Sequence, residues 1–309
     1  MDQFAARRNI IAIIFLLAVL GLVVRLFYIQ VIDSSYKLSA ENNSQRIEIL
    51  YPARGLIYDR NGVLMVYNQP SYDLMIAPYE LQAFDSTEFC QILNITIDRL
   101  RAGIARSRIP RYRREPFIKQ ISPESYAVLQ EKMFKYPGFY VKSRTLRRYS
   151  KPLASHLFGY VGEVDEKLIA RNTNYLMGDY IGISGIEGYY ENVLKGEKGQ
   201  EVLLVDVHGR VKGPYQDGRF DKDAIVGKDL ISTIDAELQE YGEFLMKNYK
   251  GSVVAIEPAT GEILALVSAP TYNPALLVGR ERTLNYVTLE RDTLLKPLFN
   301  RALMANYPP

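Results

Sequence analysis

The chain has 309 residues, of which 48% are hydrophobic and 24% are charged, and its formal net charge is +3. This composition is that of a folded protein and excludes a disordered one, and the length favours two or more domains over one large core. The small net charge gives no indication of a nucleic-acid partner.

The first predicted element is an apolar helix near the N-terminus. The run Ile10–Val24 has no charged or strongly polar residue, it follows Arg7 and Arg8, and the apolar pattern resumes after Arg25 as far as Ile32. A helix over residues 10–32 is roughly 35 Å long at about 1.5 Å per residue, which is enough to cross a hydrocarbon layer of about 30 Å. The sequence therefore predicts a transmembrane helix with a cytoplasmic N-terminus.

A cleavable signal peptide is the alternative, because it also has a basic start and an apolar middle. No Ala-x-Ala-like cleavage site follows the apolar run, and the run is longer than an ordinary signal-peptide core. We therefore favour an uncleaved anchor, with the chain after about Ile32 outside the cytoplasm.

Strands are predicted after a polar stalk that covers residues 33–45. Residues 46–51 alternate between polar and apolar side chains, as a strand does. Asn61-Gly62 separates two further apolar segments and indicates an antiparallel hairpin.

Two amphipathic helices are predicted next. Residues 88–106 carry apolar side chains at helical spacing and are interpreted as one helix. Ser122 is suited to cap the second helix, with Pro123 in its first turn, and Pro137-Gly138 ends it before a strand over residues 139–146. The single cysteine, Cys90, has an apolar setting and is expected to be a buried small hydrophobe rather than a reactive thiol.

A basic cluster follows the first of these helices. A solvated loop is the favoured interpretation, and contact with anionic lipid, cell-wall polymer or an acidic partner is the alternative. Its members are Arg106, Arg108, Arg111, Arg113 and Arg114.

A glycine-rich tract begins at residue 159. Its spacing is irregular, which argues against a dinucleotide-binding loop and favours turns with positive φ in an irregular β-rich module. A charged, loop-like segment over residues 221–229 is interpreted as a domain boundary. The glycines of the tract are Gly159, Gly178, Gly182, Gly185, Gly188, Gly196 and Gly199.

The C-terminal region is predicted to contain a helix over residues 235–249 and two strands. Leu238, Tyr241, Leu245 and Tyr249 lie on one face of that helix. The strands, over residues 252–256 and 262–268, are almost continuously apolar, so both of their faces should be covered in a finished domain. One helix and two strands cannot supply that cover.

Few residues qualify as candidates for chemistry. Ser34-Ser35-Tyr36-Lys37 is the only S-x-x-K sequence and is interpreted as a coincidence, and no Lys-Thr-Gly occurs. His156 and His208 lack the partners that a zinc site or a Ser-His-Asp triad requires, and His156 is expected to be structural, at the end of a strand. Asp59 and Glu187 could form a catalytic carboxylate pair, but turn and salt-bridge roles are favoured.

Three stretches of sequence resemble conserved blocks of the class B penicillin-binding proteins. Block 1 is Arg-Gly-Leu-Ile-Tyr-Asp-Arg-Asn-Gly at residues 54–62, and block 2 is His-Leu-Phe-Gly-Tyr-Val-Gly at residues 156–162. Block 3 covers residues 182–199 and begins Gly-Ile-Ser-Gly-Ile-Glu-Gly-Tyr-Tyr-Glu. Residues 235–274 are similar to the opening of the transpeptidase domain, and residues 291–309 are most similar to the elongation-type members.

The resemblance implies an α+β protein with three parts. These are a cytoplasmic tail and single transmembrane helix in residues 1–32, an elongated mixed α/β pedestal (dimerisation) domain in residues 33–228, and the truncated start of a penicillin-binding transpeptidase domain in residues 229–309. The implied location is the bacterial cytoplasmic (inner) membrane, with a single pass and the bulk of the chain periplasmic or extracellular.

The implied activity of the intact protein is D,D-transpeptidation of peptidoglycan during cell elongation. A serine of an S-x-x-K motif attacks the penultimate D-alanine of a stem peptide, with a lysine to take its proton and backbone donors to hold the oxyanion. The nucleophile is expected just beyond Pro309, so no catalytic, cofactor or metal residue is assigned in residues 1–309. This stretch alone is expected to be inactive and to bind no penicillin.

The resemblance also implies partners. They are peptidoglycan stem peptides and β-lactams for the intact protein, a SEDS-type glycosyltransferase, a rod-complex scaffold protein and the membrane, with no cofactor and no nucleic acid. Two alternatives remain open: a non-enzymatic, membrane-anchored interaction module, and the division-specific transpeptidase.

Overall fold

Helices and strands alternate along the chain in a computed structural model that describes residues 2–28, 45–107, 114–171, 175–206 and 211–306. The chain divides into two units, one formed by Met1–Ile49 with Gln200–Lys222 and the other by Leu50–Gly199 with Asp223–Pro309. The mixture of helices and strands agrees with the predicted α+β class.

The helices of the described residues are α1 (Asp2–Phe27), α2 (Ser86–Leu93), α3 (Ile97–Ser107), α4 (Pro123–Lys132), α5 (Ser155–Phe158), α6 (Glu166–Arg171), α7 (Gly185–Tyr189), α8 (Glu191–Leu194), α9 (Ala236–Leu245), α10 (Arg282–Arg291) and α11 (Arg301–Met304). The strands are β1 (Gln45–Leu50), β2 (Ile57–Tyr58), β3 (Leu64–Ile76), β4 (Glu115–Ile121), β5 (Phe139–Tyr149), β6 (Val161–Glu163), β7 (Tyr180–Gly182), β8 (Gly199–Val205), β9 (Val211–Pro214), β10 (Leu230–Ile231), β11 (Gly251–Ile256) and β12 (Ile263–Ala269).

The first unit contains α1 and a sheet in which β8 lies between β1 and β9. Within the described ranges, no helix is both long enough and apolar enough to span a membrane. The predicted span continues to Ile32, and residues 29–44, which include the Ser34–Lys37 tetrapeptide, lie outside the described part of the chain. The membrane anchor stays a prediction.

The second unit is built on the long strand β3. It pairs antiparallel with β2 and β4, and with β5 from Val66 opposite Tyr149 to Ile76 opposite Phe139. The antiparallel pairing of β2 and β3 on either side of Asn61-Gly62 confirms the predicted hairpin. Gly62 has a φ of +81° in this turn, a conformation that a side chain would disfavour. Strand β10 adds to the same sheet, parallel to β2.

One end of β3 carries an apolar core with helices α2, α3 and α4. Phe89 and Phe139 lie with ring centroids 4.5 Å apart, and Leu74, Leu100 and Leu129 are fully buried around them. Cys90 is buried in the same core, which confirms the prediction from its setting. Burial raises the pKa of its thiol, so the reactive thiolate is disfavoured.

The single helix predicted over residues 88–106 is wrong, because the structure has two helices there. Asn94 follows α2 with φ 50° and ψ 51°, and its N–H donates to the carbonyls of Cys90 and Gln91. Asparagine tolerates this left-handed conformation better than most residues, and it ends the helix. The apolar spacing continues from Leu93 to Ile97 and Leu100, so periodicity does not reveal the break.

The second predicted helix is confirmed as α4. The Ser122 hydroxyl accepts from the N–H of Ser125, and Pro123 occupies the first turn. Gly138, with a φ of +91°, precedes β5, which extends to Tyr149 rather than ending at residue 146.

The C-terminal helix and strand pair form as predicted, although α9 ends at Leu245. Asp235 caps α9 by accepting from the N–H groups of Glu237 and Leu238. Strand β12 is largely buried, whereas the side chains of Val253, Val254 and Ile256 in β11 are exposed, as is the apolar face of α9. These elements therefore leave apolar surface uncovered, as the sequence predicts.

Candidate functional site at the junction of the three sequence blocks

Blocks 1 and 3 meet at a buried ionic cluster. One Nη of Arg54, in block 1, donates to Glu187 and to Glu191, in block 3, at 2.7 Å each. Arg147, in β5, donates through Nε to the other oxygen of Glu187 at 2.6 Å. All four side chains are at least nine-tenths buried, so two cations and two carboxylates neutralise one another away from water.

Hydrogen bonds to the backbone complete this cluster. Arg147 also donates to the Gly55 carbonyl at 2.7 Å and to the Asn68 side chain at 3.0 Å. Burial, the largest effect, opposes the charged form of Arg54, but the neighbouring carboxylates of Glu187 and Glu191 outweigh it and raise its pKa. Removing one member of such a cluster leaves a buried charge without compensation. The cluster therefore fixes block 1 against block 3.

Glycines allow blocks 2 and 3 to approach closely. A Cβ at Gly182 would lie 1.9 Å from the carbonyl oxygen of Glu187, and a Cβ at Gly159 would lie 1.9 Å from that of Ser184. The prediction of positive φ is confirmed at Gly159, Gly178, Gly185 and Gly196, but Gly182, Gly188 and Gly199 have no positive φ. At Gly182 the reason for glycine is the space that the Glu187 carbonyl occupies.

Asp59 in block 1 links the β2–β3 turn to helix α9. Its Oδ1 accepts from the N–H groups of Asn61 and Val63 at 2.8 and 2.7 Å, and its Oδ2 accepts from the N–H of Ala236 at 3.2 Å. Asp59 and Glu187 thus have separate partners, which confirms the turn and salt-bridge roles over a catalytic pair. The sequence analysis did not predict the hydrogen bond between Asp59 and Ala236.

Block 2 contacts the C-terminal segment through α5. Ser155 Oγ donates to the Tyr272 carbonyl at 2.6 Å, and His156 Nε2 lies 2.8 Å from the Pro297 carbonyl. His156 is therefore structural as predicted, but its expected position at the end of a strand is wrong. Ala154, with a φ of 52°, turns the chain so that its carbonyl accepts from Leu157 and Phe158 and a short helix forms.

Glu243 of α9 is a further contact that the sequence did not indicate. Its Oε1 accepts from the backbone N–H of Ala154 at 2.7 Å and from the Gln239 amide at 2.8 Å. Burial raises the pKa of this carboxyl. Gln239, itself fully buried, also bonds both backbone groups of Leu266 in β12.

Two other candidates of the sequence lie wholly or partly outside the described residues. His208 and residues 108–113 of the basic cluster lie outside the described residues, and the Arg114 guanidinium lies over the Tyr140 ring at 3.9 Å. The role of the basic cluster stays a prediction. Across the described ranges, no group of three or more His, Cys, Asp or Glu side chains is placed to hold a metal ion.

The contacts of the junction are ion pairs and hydrogen bonds that join distant parts of the chain. Ser155 Oγ bonds to Thr271 and to the Tyr272 carbonyl, and Ser268 Oγ bonds to the backbone of Phe299 and Arg301. Within the described part of the chain, neither serine makes a hydrogen bond to a lysine. An activated serine needs an adjacent base. The arrangement holds the three blocks to one another and to the C-terminal segment.

The three blocks lie in a part of the chain that matches a known protein family. Residues 49–232 match the family model described as the Penicillin-binding Protein dimerisation domain. The chain belongs to this family of penicillin-binding proteins. The ionic cluster, the close glycine contacts and the Asp59 turn all lie within the matched range of this penicillin-binding protein.

Curated relatives extend the similarity to almost the whole chain. It is 33% identical over 95% of its length to the "Peptidoglycan D,D-transpeptidase MrdA" of Acinetobacter baumannii. It is 31% identical over 98% of its length to the protein of the same name in Escherichia coli K12. The resemblance to the elongation-type members is confirmed. The chain spans 44% and 49% of the lengths of these two relatives.

A solved structure shows the same fold. The penicillin-binding protein in "Complex between Penicillin-Binding Protein (PBP2) and MreC from Helicobacter pylori" matches 83% of this chain with a TM-score of 0.61 and 20% identity. The match covers 49% of that chain. It supports the mixed α/β architecture of this penicillin-binding protein.

Proposed function

We propose that this chain is the anchor, the pedestal and the incomplete catalytic part of a peptidoglycan D,D-transpeptidase of cell elongation. The observation that carries the proposal is its 31–33% identity, over 95–98% of its length, to two proteins named "Peptidoglycan D,D-transpeptidase MrdA". Identity of this extent, together with the matched dimerisation domain, favours the elongation enzyme over a non-enzymatic module or the division-specific enzyme.

The proposed reaction is acyl transfer by a serine enzyme. The serine forms an ester with the penultimate D-alanine carbonyl and the terminal D-alanine leaves, and an amine of a neighbouring strand then takes the acyl group. In this proposal the nucleophile and its lysine belong to sequence after Pro309. The residues present here hold the catalytic domain on the pedestal, through Asp59 and Ala236 and through His156 and Pro297.

A membrane anchor at the N-terminus is part of the proposal. The large apolar side chains of α1 from Ile13 to Val24 are exposed, and an unbroken apolar run of this kind is typical of a segment in lipid. We place the N-terminus in the cytoplasm and the bulk of the chain outside the bacterial inner membrane. Extraction of membranes at alkaline pH tests this: the whole chain should stay in the pellet, and a chain without residues 1–32 should be released.

Three partners are proposed besides stem peptides and β-lactams. The solved structure that this chain resembles is a complex with MreC, and we propose a rod-complex scaffold protein as a partner of this pedestal as well. A SEDS-type glycosyltransferase and the membrane are the others. Co-purification with the scaffold protein should be lost when residues 45–232 are deleted and kept when only residues after 232 are deleted.

Labelling with a fluorescent penicillin tests the enzymatic proposal. The full-length gene product should form a covalent, boiling-resistant adduct that disappears when the serine of its S-x-x-K sequence is replaced by alanine. Absence of that sequence from the gene, or a covalent adduct on residues 1–309 alone, would contradict the proposal. Depletion from growing cells separates the two enzyme classes, since rounding indicates elongation and filamentation indicates division.

A further inference from the structure

We propose that His156 is a positioning residue for the acylation reaction, because it holds the loop that leads into helix α11. This inference rests on the proposed function. The loop, residues 292–300, connects α10 to α11, and we call it the run-in loop. His156 belongs to block 2, and 141 positions of sequence separate it from Pro297.

The run-in loop is fixed by contacts from its own neighbourhood. Asp292 Oδ1 accepts from the N–H groups of Leu294 and Leu295 at 3.2 and 2.9 Å. The guanidinium of Arg301, itself buried, donates to the carbonyls of Leu295, Lys296 and Phe299 at 2.6, 3.3 and 3.4 Å. Together these hydrogen bonds hold the run-in loop in a single conformation.

That conformation is strained at one residue. Lys296 has a φ of +46°, in the left-handed region that side chains with a Cβ disfavour, and it immediately precedes Pro297. A proline also disfavours helical conformations in the residue before it. Such strain persists only where the surrounding structure enforces it, and it is concentrated at functional sites.

His156 supplies a contact to this strained turn from the pedestal side. Its Nε2 lies 2.8 Å from the Pro297 carbonyl, one residue after Lys296, so the nitrogen carries a proton and donates it. The edge-to-face packing of the imidazole on Tyr272, with ring centroids 5.3 Å apart, keeps it in place. Tyr272 in turn bonds to Ser155, the residue before His156.

The position of the run-in loop determines the position of helix α11. Asn300 caps this helix by accepting from the N–H groups of Ala302 and Leu303, and the N–H of Arg301 donates to Ser268 Oγ of β12. Under the proposed function the attacking serine follows this helix. Because a displacement of about 1 Å at a reacting group costs on the order of 100-fold in rate, a relaxed run-in loop should slow acylation.

The test compares variants of the full-length protein. His156→Ala removes the donor, and we expect the rate constant for acylation by a fluorescent penicillin to fall about 10-fold or more. His156→Gln keeps an N–H near the position of Nε2 and should restore the rate to within about 3-fold of the unmodified protein. Tyr175→Phe is the matched control, because it removes a buried hydrogen bond to Glu191 without contact with the run-in loop.

A second variant separates positioning from a general loss of stability. Lys296→Gly relieves the backbone strain, since glycine adopts positive φ readily, so the double variant His156→Ala/Lys296→Gly should acylate faster than His156→Ala alone. Hydrogen exchange of the amides of residues 294–304 should accelerate in His156→Ala and not in His156→Gln or Tyr175→Phe.

The outcomes distinguish this inference from the proposed function. An acylation rate and an exchange pattern in His156→Ala that match those of the unmodified protein would overturn the inference. A slow His156→Ala that neither glutamine nor Lys296→Gly rescues would also overturn it, because that result indicates a purely structural role. If penicillin does not acylate the unmodified protein, the proposed function is refuted. The hydrogen-exchange measurement would still test whether His156 fixes the run-in loop.

Discussion

Arg54 and Glu187 form a buried ion pair at 2.7 Å that joins two sequence blocks 133 residues apart. Glu187 is fully buried and also accepts a hydrogen bond from Arg147. Glu187 and Glu191 together neutralise the two cations, Arg54 and Arg147. This pair explains why block 1 and block 3 occur together, since either charge without the other would be buried and uncompensated.

Replacing Glu187 by glutamine should therefore destabilise the protein strongly. The change leaves Arg54 and Arg147 close together with only Glu191 as a counter-charge. We expect the free energy of unfolding to fall by about 3–5 kcal/mol, measured by urea denaturation of the full-length protein. Glu262→Gln is the control, because Glu262 is partly exposed and its partner Arg60 keeps Glu257. Its effect should stay within about 1 kcal/mol, and equal effects of the two variants would contradict the role of the cluster.

Local features of the fold could be predicted from the sequence. The Asn61-Gly62 turn and the Ser122 cap each depend on residues a few positions apart, and both form as predicted. The break at Asn94 was missed because the apolar residues on its two sides keep a helical spacing. Periodicity reports which side chains face a core, and it is insensitive to a short interruption that preserves that face.

The candidate site could be predicted only in part. Asp59 was expected in a turn, but its second oxygen binds the N–H of Ala236, at the start of a helix that lies 177 residues later. The bonds from Arg147 to Glu187 and from His156 to Pro297 likewise join distant positions. Such contacts depend on how the sheet and the loops pack, and one sequence holds no local signal for them.

Gly182 should tolerate no side chain. In Gly182→Ala the new Cβ would lie 1.9 Å from the Glu187 carbonyl oxygen, which belongs to backbone that the ionic cluster fixes. We expect a loss of about 1–3 kcal/mol in the free energy of unfolding, because the backbone must shift to relieve the overlap.

Gly251→Ala provides the comparison for Gly182→Ala. A Cβ at Gly251 would meet only the end of the flexible Met246 side chain, at 3.4 Å. Alanine in this strand position should be neutral or slightly stabilising, since glycine loses more conformational freedom on folding. If Gly182→Ala lowers the melting temperature no more than Gly251→Ala does, the close approach of Gly182 to the Glu187 carbonyl is not needed for stability.

Asn94 should accept glycine but not alanine. Its φ of 50° lies in the left-handed region, where a Cβ costs roughly 1–2 kcal/mol and glycine has no penalty. Asn94→Ala should lower the melting temperature, while Asn94→Gly should leave it nearly unchanged. A melting temperature that alanine does not lower would indicate that α2 and α3 can join into the single helix that the apolar spacing suggests.

The buried state of His156 predicts a pH dependence of stability. Burial, the largest effect, and the nearby charge of Arg301 lower the pKa of His156, although the hydrogen bond to Pro297 opposes this shift. As the pH falls through about 6.5, the ordinary pKa of histidine, the unfolded chain gains a proton that the folded protein takes up less readily. The free energy of unfolding should therefore decrease across this range, down to the lowered pKa of the folded state.

The test compares the unmodified protein with His156→Gln, whose side chain cannot titrate. The unfolding free energies of both proteins are measured by urea denaturation from pH 8 to pH 5. The difference between them should shrink as the solution becomes acidic. A difference that stays constant with pH would show that the imidazole exchanges protons as freely in the fold as in water, and its contact with the run-in loop would then be too loose to position α11.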